Sequence, residues 1–214
     1  MPGLVLEGGT FRPVFSCGVM DALLDHDIMF DYVVGVSAGI TYAISYLSRQ
    51  HGRNLEVLRR YRGDSRYFGV RNLPHDHSIF GTDFVFDTIP NQLIPFDWEA
   101  YHRYKGRILV GVTNAETGRA EYLDGAKLDR TCTMLRATCA IPLYFPAVQL
   151  SGGTFYDGGV ADPIPIVRSL ISIPAGIARM QFVPFLVFTA AGSLLWNTVL
   201  VYAGRIAGDS WEKV

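Results

Sequence analysis

Three short runs in this chain carry residue types and spacings suited to acyl-transfer chemistry. The first is Gly35-Val36-Ser37-Ala38-Gly39, a Gly-x-Ser-x-Gly pattern set between an apolar run, Tyr32 to Val34, and a helix-forming one. Placed there, it is a strand-to-helix turn that presents a serine hydroxyl as a nucleophile. Side chains at Gly35 or Gly39 would collide with the neighbouring helix and strand. The helix starting beside Ser37 points its positive end at any anion that develops there. The second run is Asp157-Gly158-Gly159, an acid at a strand end followed by glycines that let the backbone turn close to a site. The third is Gly8-Gly9-Thr10-Phe11-Arg12, whose backbone N–H groups, lying between a strand and a helix, can face an anion. That is what an oxyanion hole requires, and losing one of its donors adds about 2.7–4 kcal/mol to the barrier. Arg12 either anchors this loop or meets an anionic head group. A nucleotide site fits less well, because the loop lacks Gly-x-Gly-x-x-Gly spacing and no Lys-Ser/Thr closes it.

A serine nucleophile needs a base. The histidines are His26, His51, His75, His77 and His102, and none follows Asp157. A triad in the order Ser, acid, His would have to find both partners between Ser37 and His102, too little chain for the strands that carry them. The histidine-free alternative is a dyad in which the Asp157 carboxylate takes the Ser37 proton directly.

The elements that must position these residues can be read from apolar periodicity. Gly3 to Glu7 is a buried strand entering a tight loop. Val14 to Leu24 is a helix with Pro13 in its first turn. Asp31 to Val36 is a second strand and Ala38 to Arg49 a second helix. Two strand-loop-helix units in succession predict an α/β fold with a mainly parallel sheet. Further along, Asn54 to Tyr61 reads as helix, Arg62 to Pro74 as loop, Arg107 to Thr113 as strand, and Ala120 to Leu123 as a strand pairing back. Leu128 to Ala137 reads as helix, and Thr154 to Asp157 as the strand that ends on the acid.

Composition narrows the function classes. With 19 Lys plus Arg against 20 Asp plus Glu, no polyanion-binding surface is indicated, which argues against nucleic acid as a partner. Cys17, Cys132 and Cys139 form no C-x-x-C pair and read as small buried hydrophobes in a reducing compartment. The N-terminus lacks a basic segment and a long apolar stretch, so the expectation is a cytoplasmic catalytic region without a signal peptide. His75-Asp76-His77 has no matching cluster elsewhere in the sequence and reads as a polar loop rather than a metal site. Asp162, before two prolines, reads as a turn residue. Phe80, Phe84, Phe86, Phe96 and Trp98 read first as core, with an acyl groove as the alternative.

The three runs, in this order and spacing, resemble the patatin-like phospholipases. Further likeness lies in Leu4 to Gly9, in Ala137 to Pro142 with Phe145 and Pro146, and in Asp157 to Pro165. The resemblance covers residues 3–166. It implies a three-layer α/β/α fold and hydrolysis of lipid acyl esters by Ser37 and Asp157, with an oxyanion hole at Gly8, Gly9, Thr10 and Arg12 and no metal or organic cofactor. Thr10 and Pro13 stand where the family commonly has glycine.

The remainder, residues 167–214, has a different character. From Phe182 to Gly204 the chain carries no charge, between Arg179 and Arg205, which is long enough to span a bilayer. Arg168 to Gly176, Ala178 to Met180, Gly192 to Asn197 and Gly208 to Lys213 resemble the end of DedA-type membrane proteins, which are linked to lipid translocation. The two likenesses meet at Ile164-Pro165-Ile166. The expectation is a C-terminally incomplete acyl hydrolase domain fused to a hydrophobic helix that attaches it to a membrane. The alternative is a membrane-associated lipid-binding protein without turnover.

Overall fold

In the computed structural model the described residues are 2–9 and 12–163. Thr10 of the glycine loop, the helix expected over 182–204 and the whole of 167–214 lie outside them. No helix among the described residues is long and apolar enough to cross a membrane.

The strands are β1 (Leu4–Leu6), β2 (Tyr32–Val36), β3 (Arg107–Asn114), β4 (Ala120–Asp124), β5 (Val148–Leu150) and β6 (Gly153–Asp157). They form one sheet in which β1, β2 and β3 are parallel neighbours. β4 and β6 both pair antiparallel with β3, and β5 pairs antiparallel with β6. Thus β1, β2, β3 and β5 run one way and β4 and β6 the other, flanked by helices in the α/β manner the sequence predicts.

The helices are α1 (Val14–Asp25), α2 (Ser37–Leu47), α3 (Arg53–Tyr61), α4 (Leu73–Asp76), α5 (Trp98–Arg103) and α6 (Thr133–Thr138). A π-helical turn, Phe84–Leu93, contains Pro90, whose missing N–H disturbs regular α-helical bonding. α4 and the short 3-10 turn before it, Val70–Asn72, occupy part of the stretch expected as loop. α6 starts later than the expected Leu128, because the Asp129 carboxylate accepts hydrogen bonds from the Thr131 hydroxyl and the Thr133 N–H and holds a turn there.

Both faces of β2 are covered, so Val33, Val34 and Val36 are all buried, as β-branched residues in a central parallel strand should be. α2 packs over the sheet, with Ile40, Ala43, Ile44 and Leu47 joining Leu6, Met20, Val33, Ile108 and Val110 in the main core. Each buried Val, Leu, Ile or Met side chain among these contributes about 1.5–3 kcal/mol relative to exposure.

The feature that makes the site is the way β3 is shared. One edge carries β4, paired from Leu109 to Thr113. The other edge is divided, with β2 along Arg107 to Gly111 and β6 along Val112 to Asn114. Since β2 is parallel and β6 antiparallel to β3, their C-terminal ends face each other across the step from Gly111 to Val112. Ser37 follows the end of one and Asp157 is the end of the other.

Candidate active site

Ser37 lies at an abrupt strand-to-helix turn. Val36 is extended, and Ser37 takes φ of +51° as α2 begins, a left-handed conformation that strains a non-glycine residue by about 1–3 kcal/mol. Tertiary bonds hold it there. The Ser37 N–H donates to Thr138 Oγ1 at 2.8 Å, and that hydroxyl donates to the Gly111 carbonyl at 2.5 Å. Thr138 therefore fills the place in the ladder that β2 leaves as it turns away from β3. Gly39 lets the first turn of α2 settle on the end of β1, since a Cβ there would sit 2.3 Å from the Glu7 carbonyl oxygen.

Asp157 is fixed through four contacts. Its N–H donates to the Ala140 carbonyl at 2.8 Å, and its carbonyl accepts from Thr113 Oγ1 at 2.8 Å. Its Oδ1 accepts from the Gly159 N–H at 2.7 Å. Its Oδ2 accepts from Ser37 Oγ at 2.6 Å. Gly158 is needed where the chain leaves β6, since a Cβ there would lie 2.2 Å from the Gly111 carbonyl oxygen.

Ser37 and Asp157 are both buried. Burial pushes the Asp157 carboxyl above the ordinary carboxylate range, while the hydrogen bonds from Ser37 and Gly159 pull it back. Among the described residues no histidine bonds either one. A serine hydroxyl donating to a desolvated carboxylate, with no other titratable group between them, can lose its proton to that carboxylate as it attacks.

Gly8, Gly9 and Arg12 line a cavity shared with Ser37, Asp157 and Gly159. A Cβ on Gly8 would lie 3.0 Å from Ser37 Cβ, so the loop passes directly over the serine. Arg12 is exposed and folds back on the loop, with Nη2 donating to the Gly8 carbonyl at 3.3 Å and its backbone N–H donating to the Gly9 carbonyl at 2.9 Å. It thus ties down the loop's carbonyls.

A second cavity, of about 100 Å³, also has Ser37 in its wall. Its walls include Tyr42, Tyr67, Phe80, Phe86, Cys139 and Phe145. The aromatic residues singled out from the sequence therefore divide, with Phe80 and Phe86 at this cavity and Phe84 and Phe96 buried elsewhere in the core. The Cys139 thiol lies 3.3 Å from Thr41 Oγ1, and burial, with Asp157 nearby, pushes it up to about 12. Tyr42, Tyr67 and the Thr138 bridge were not picked out individually by sequence reasoning, and Cys139 was read only as a small buried hydrophobe. The signal for Thr138 and Cys139 was the run Ala137 to Pro142, legible only through resemblance.

His75, Asp76 and Asp83 come within 4.8 Å of one another, without His77. Asp76 accepts from Thr82 Oγ1 at 2.9 Å and Asp83 from Arg136 at 2.6 Å. Asp162 accepts a hydrogen bond from the Tyr122 hydroxyl at 2.6 Å.

Known proteins resemble this chain over different lengths of it. The cGAMP-activated phospholipase of Pseudomonas aeruginosa is 28% identical over 194 residues, 83% of this chain and 58% of that protein. An alkaline phosphatase-like protein of Lactococcus lactis is 55% identical over 51 residues, 24% of each chain. The undecaprenyl phosphate transporter A of Bacillus subtilis is 49% identical over 62 residues, covering 28% of this chain and 31% of its own, in the C-terminal region. The chain thus spans little more than half the length of the first of these and less of the others. The sequence profile of the patatin-like phospholipases matches residues 4–168, and the chain belongs to that family.

Proposed function

We propose that this chain is a serine acyl hydrolase that cleaves lipid acyl esters through a Ser37–Asp157 dyad and an acyl-enzyme. The observation that carries this reading is the 2.6 Å hydrogen bond from Ser37 Oγ to Asp157 Oδ2 beside an apolar cavity. The substrate's ester carbonyl rests against N–H groups of Gly9 and Thr10. Asp157 accepts the serine proton as Oγ attacks the carbonyl carbon. It then gives that proton to the departing alcohol as the ester C–O bond breaks. Water, deprotonated by Asp157, attacks the acyl-serine, and the proton returns to Ser37 as the free acid leaves. Cys139, although it lines the same cavity, stays a neutral thiol at physiological pH and does not compete as nucleophile.

An aggregated lipid substrate is supported by the rim of the cavity. Phe80 stacks on Phe145 at 5.7 Å and meets Phe68 edge-on at 4.8 Å, joining two loops at the mouth. In and beside these loops Leu143 stands fully exposed, Tyr144 and Val70 are largely exposed and Phe68 is half-exposed. Exposed apolar side chains beside the cavity suit contact with a lipid surface. In this reading residues 3–166 form the hydrolase and 167–214 a tail that attaches it to a membrane through 182–204.

The deciding experiment is reaction of the full chain with a fluorophosphonate, followed by intact-mass and peptide analysis. A single adduct on Ser37, absent from Ser37→Ala, is the expected result. An unlabelled Ser37 in folded protein would leave a lipid-binding relic as the better description.

A further inference from the structure

Arg53 opens α3 and is 8% exposed, yet no carboxylate among the described residues pairs with it. Glu56, one turn along, bonds Arg60 at 2.6 Å instead. A guanidinium has five N–H donors. Here Nη2 donates to the Ile94 carbonyl at 2.9 Å, Nη1 makes a long contact with Ser45 Oγ at 3.4 Å, and buried Nε has no acceptor. Burial lowers its pKa to about 10, with the nearby Cys132 and Glu56 pulling it partly back. The guanidinium carbon lies 5.2 Å from the Phe96 ring centroid, which offsets part of the missing charge.

The surroundings are those of a small built site. Arg53 and Asn54 line a cavity of about 60 Å³ whose other walls are mostly apolar, among them Ile89, Phe96 and Leu135. Asn54 is fixed, accepting from Ser45 Oγ at 2.8 Å and donating to the Tyr42 carbonyl at 2.9 Å. Two buried polar residues converging in an apolar cavity are the usual makings of a specific subsite. This cavity shares the walls Thr41, Tyr42, Tyr67, Val85 and Phe86 with the one beside Ser37. Ser37 and Ser45 are eight residues apart on α2, which separates the two polar ends by roughly 12 Å.

We propose that the Arg53 cavity is a carboxylate-binding site, taking either the ionised head of a free fatty acid or the terminal carboxylate of an acyl chain whose ester sits at Ser37. A carboxylate is planar, small enough for this space, and matches a guanidinium whose Nε has no acceptor. The second source rests on the acyl-hydrolase reading and the first does not.

Two arms separate them. In the first, the melting temperature of the full-length Ser37→Ala chain is measured with decanoate and with decanol, which differ in charge at one end. Decanoate is expected to raise it more than decanol, and the added Arg53→Met substitution to erase the difference. In the second, turnover of nitrophenyl hemiazelate is compared with that of nitrophenyl nonanoate. A preference of about tenfold or more in kcat/KM for the hemiazelate, the scale of a charged hydrogen bond, assigns the site to a terminal carboxylate. Decanoate stabilisation without that preference assigns it to the free acid. Should Arg53→Met not fold, the decanoate–decanol and hemiazelate–nonanoate comparisons stand on the unchanged arginine. Equal shifts for decanoate and decanol together with equal kcat/KM values overturn the proposal. If neither ester is hydrolysed, the acyl-hydrolase reading fails while the first arm still decides the site.

Discussion

Ser37 and Asp157, 120 residues apart in sequence, meet at 2.6 Å because the strands that carry them approach each other end to end along one edge of β3. Neither is delivered by a long loop. Their separation is set by ladder register, Val36 opposite Gly111 and Asp157 opposite Val112.

Asp157→Asn tests the base. It should lower kcat by about 10²–10⁴-fold, the usual worth of a positioned base. The neutral amide suits the buried site better than a carboxylate, so the melting temperature near neutral pH should stay level or rise. Thermal unfolding and ester turnover on the same preparation check both.

The pH dependence follows from the raised Asp157 pKa. As base the group must be ionised, so kcat/KM should rise with pH through an acid limb that lies above the ordinary aspartate value. Stability has the opposite sign. A folded pKa above the unfolded one makes this group's contribution full below the unfolded pKa, and it is lost as pH rises through the folded pKa. Comparing wild type with Asp157→Asn across that window by chemical denaturation should show the wild type losing stability relative to the variant as pH increases.

Thr138→Val removes the hydroxyl that bridges the Ser37 N–H and the Gly111 carbonyl. Two buried backbone groups lose their partner, which should cost about 1–3 kcal/mol for each group left unsatisfied. Ser37 should also relax from its strained φ, so kcat falls with KM nearly constant. Thr138→Ser restores the bridge and should restore kcat.

Two glycine substitutions should act in opposite directions. Gly158→Ala drives a methyl to 2.2 Å from the Gly111 carbonyl and should destabilise by about 1–3 kcal/mol or more. Gly18, inside α1, faces open space, and a Cβ there would meet nothing within 4 Å. Gly18→Ala should therefore stabilise by about 0.5–1 kcal/mol. Urea denaturation curves would resolve both.

Leu143 is fully exposed with φ of +72°, a strained conformation for a bulky side chain. Leu143→Asn should gain stability, because asparagine tolerates that region, yet lose activity on phospholipid vesicles far more than on a water-soluble short-chain ester. Vesicle sedimentation and the two assays measure this directly.

Much of this protein was legible in the residues alone. The β-branched run before Ser37, the glycines around it and the acid closing a later strand are local patterns, since strand, turn and helix preferences act over a few residues. The lack of a histidine after His102 was enough to favour a dyad over a triad. The start of α6 was missed because a single side chain, Asp129, decides it. Other features depend on packing between distant segments. That β2 and β6 share one edge of β3 is a choice among registers that sequence periodicity leaves open. The Thr138 bridge and the division of the aromatics between cavity and core follow from that choice. So does a buried arginine without a carboxylate, since burial and pairing are decided only when the helices close over the sheet. The sequence by itself determined which residues could do chemistry, because that depends on side-chain type and local turn. Only the tertiary structure decided which of them touch, because register and packing set distances between residues that the chain separates widely.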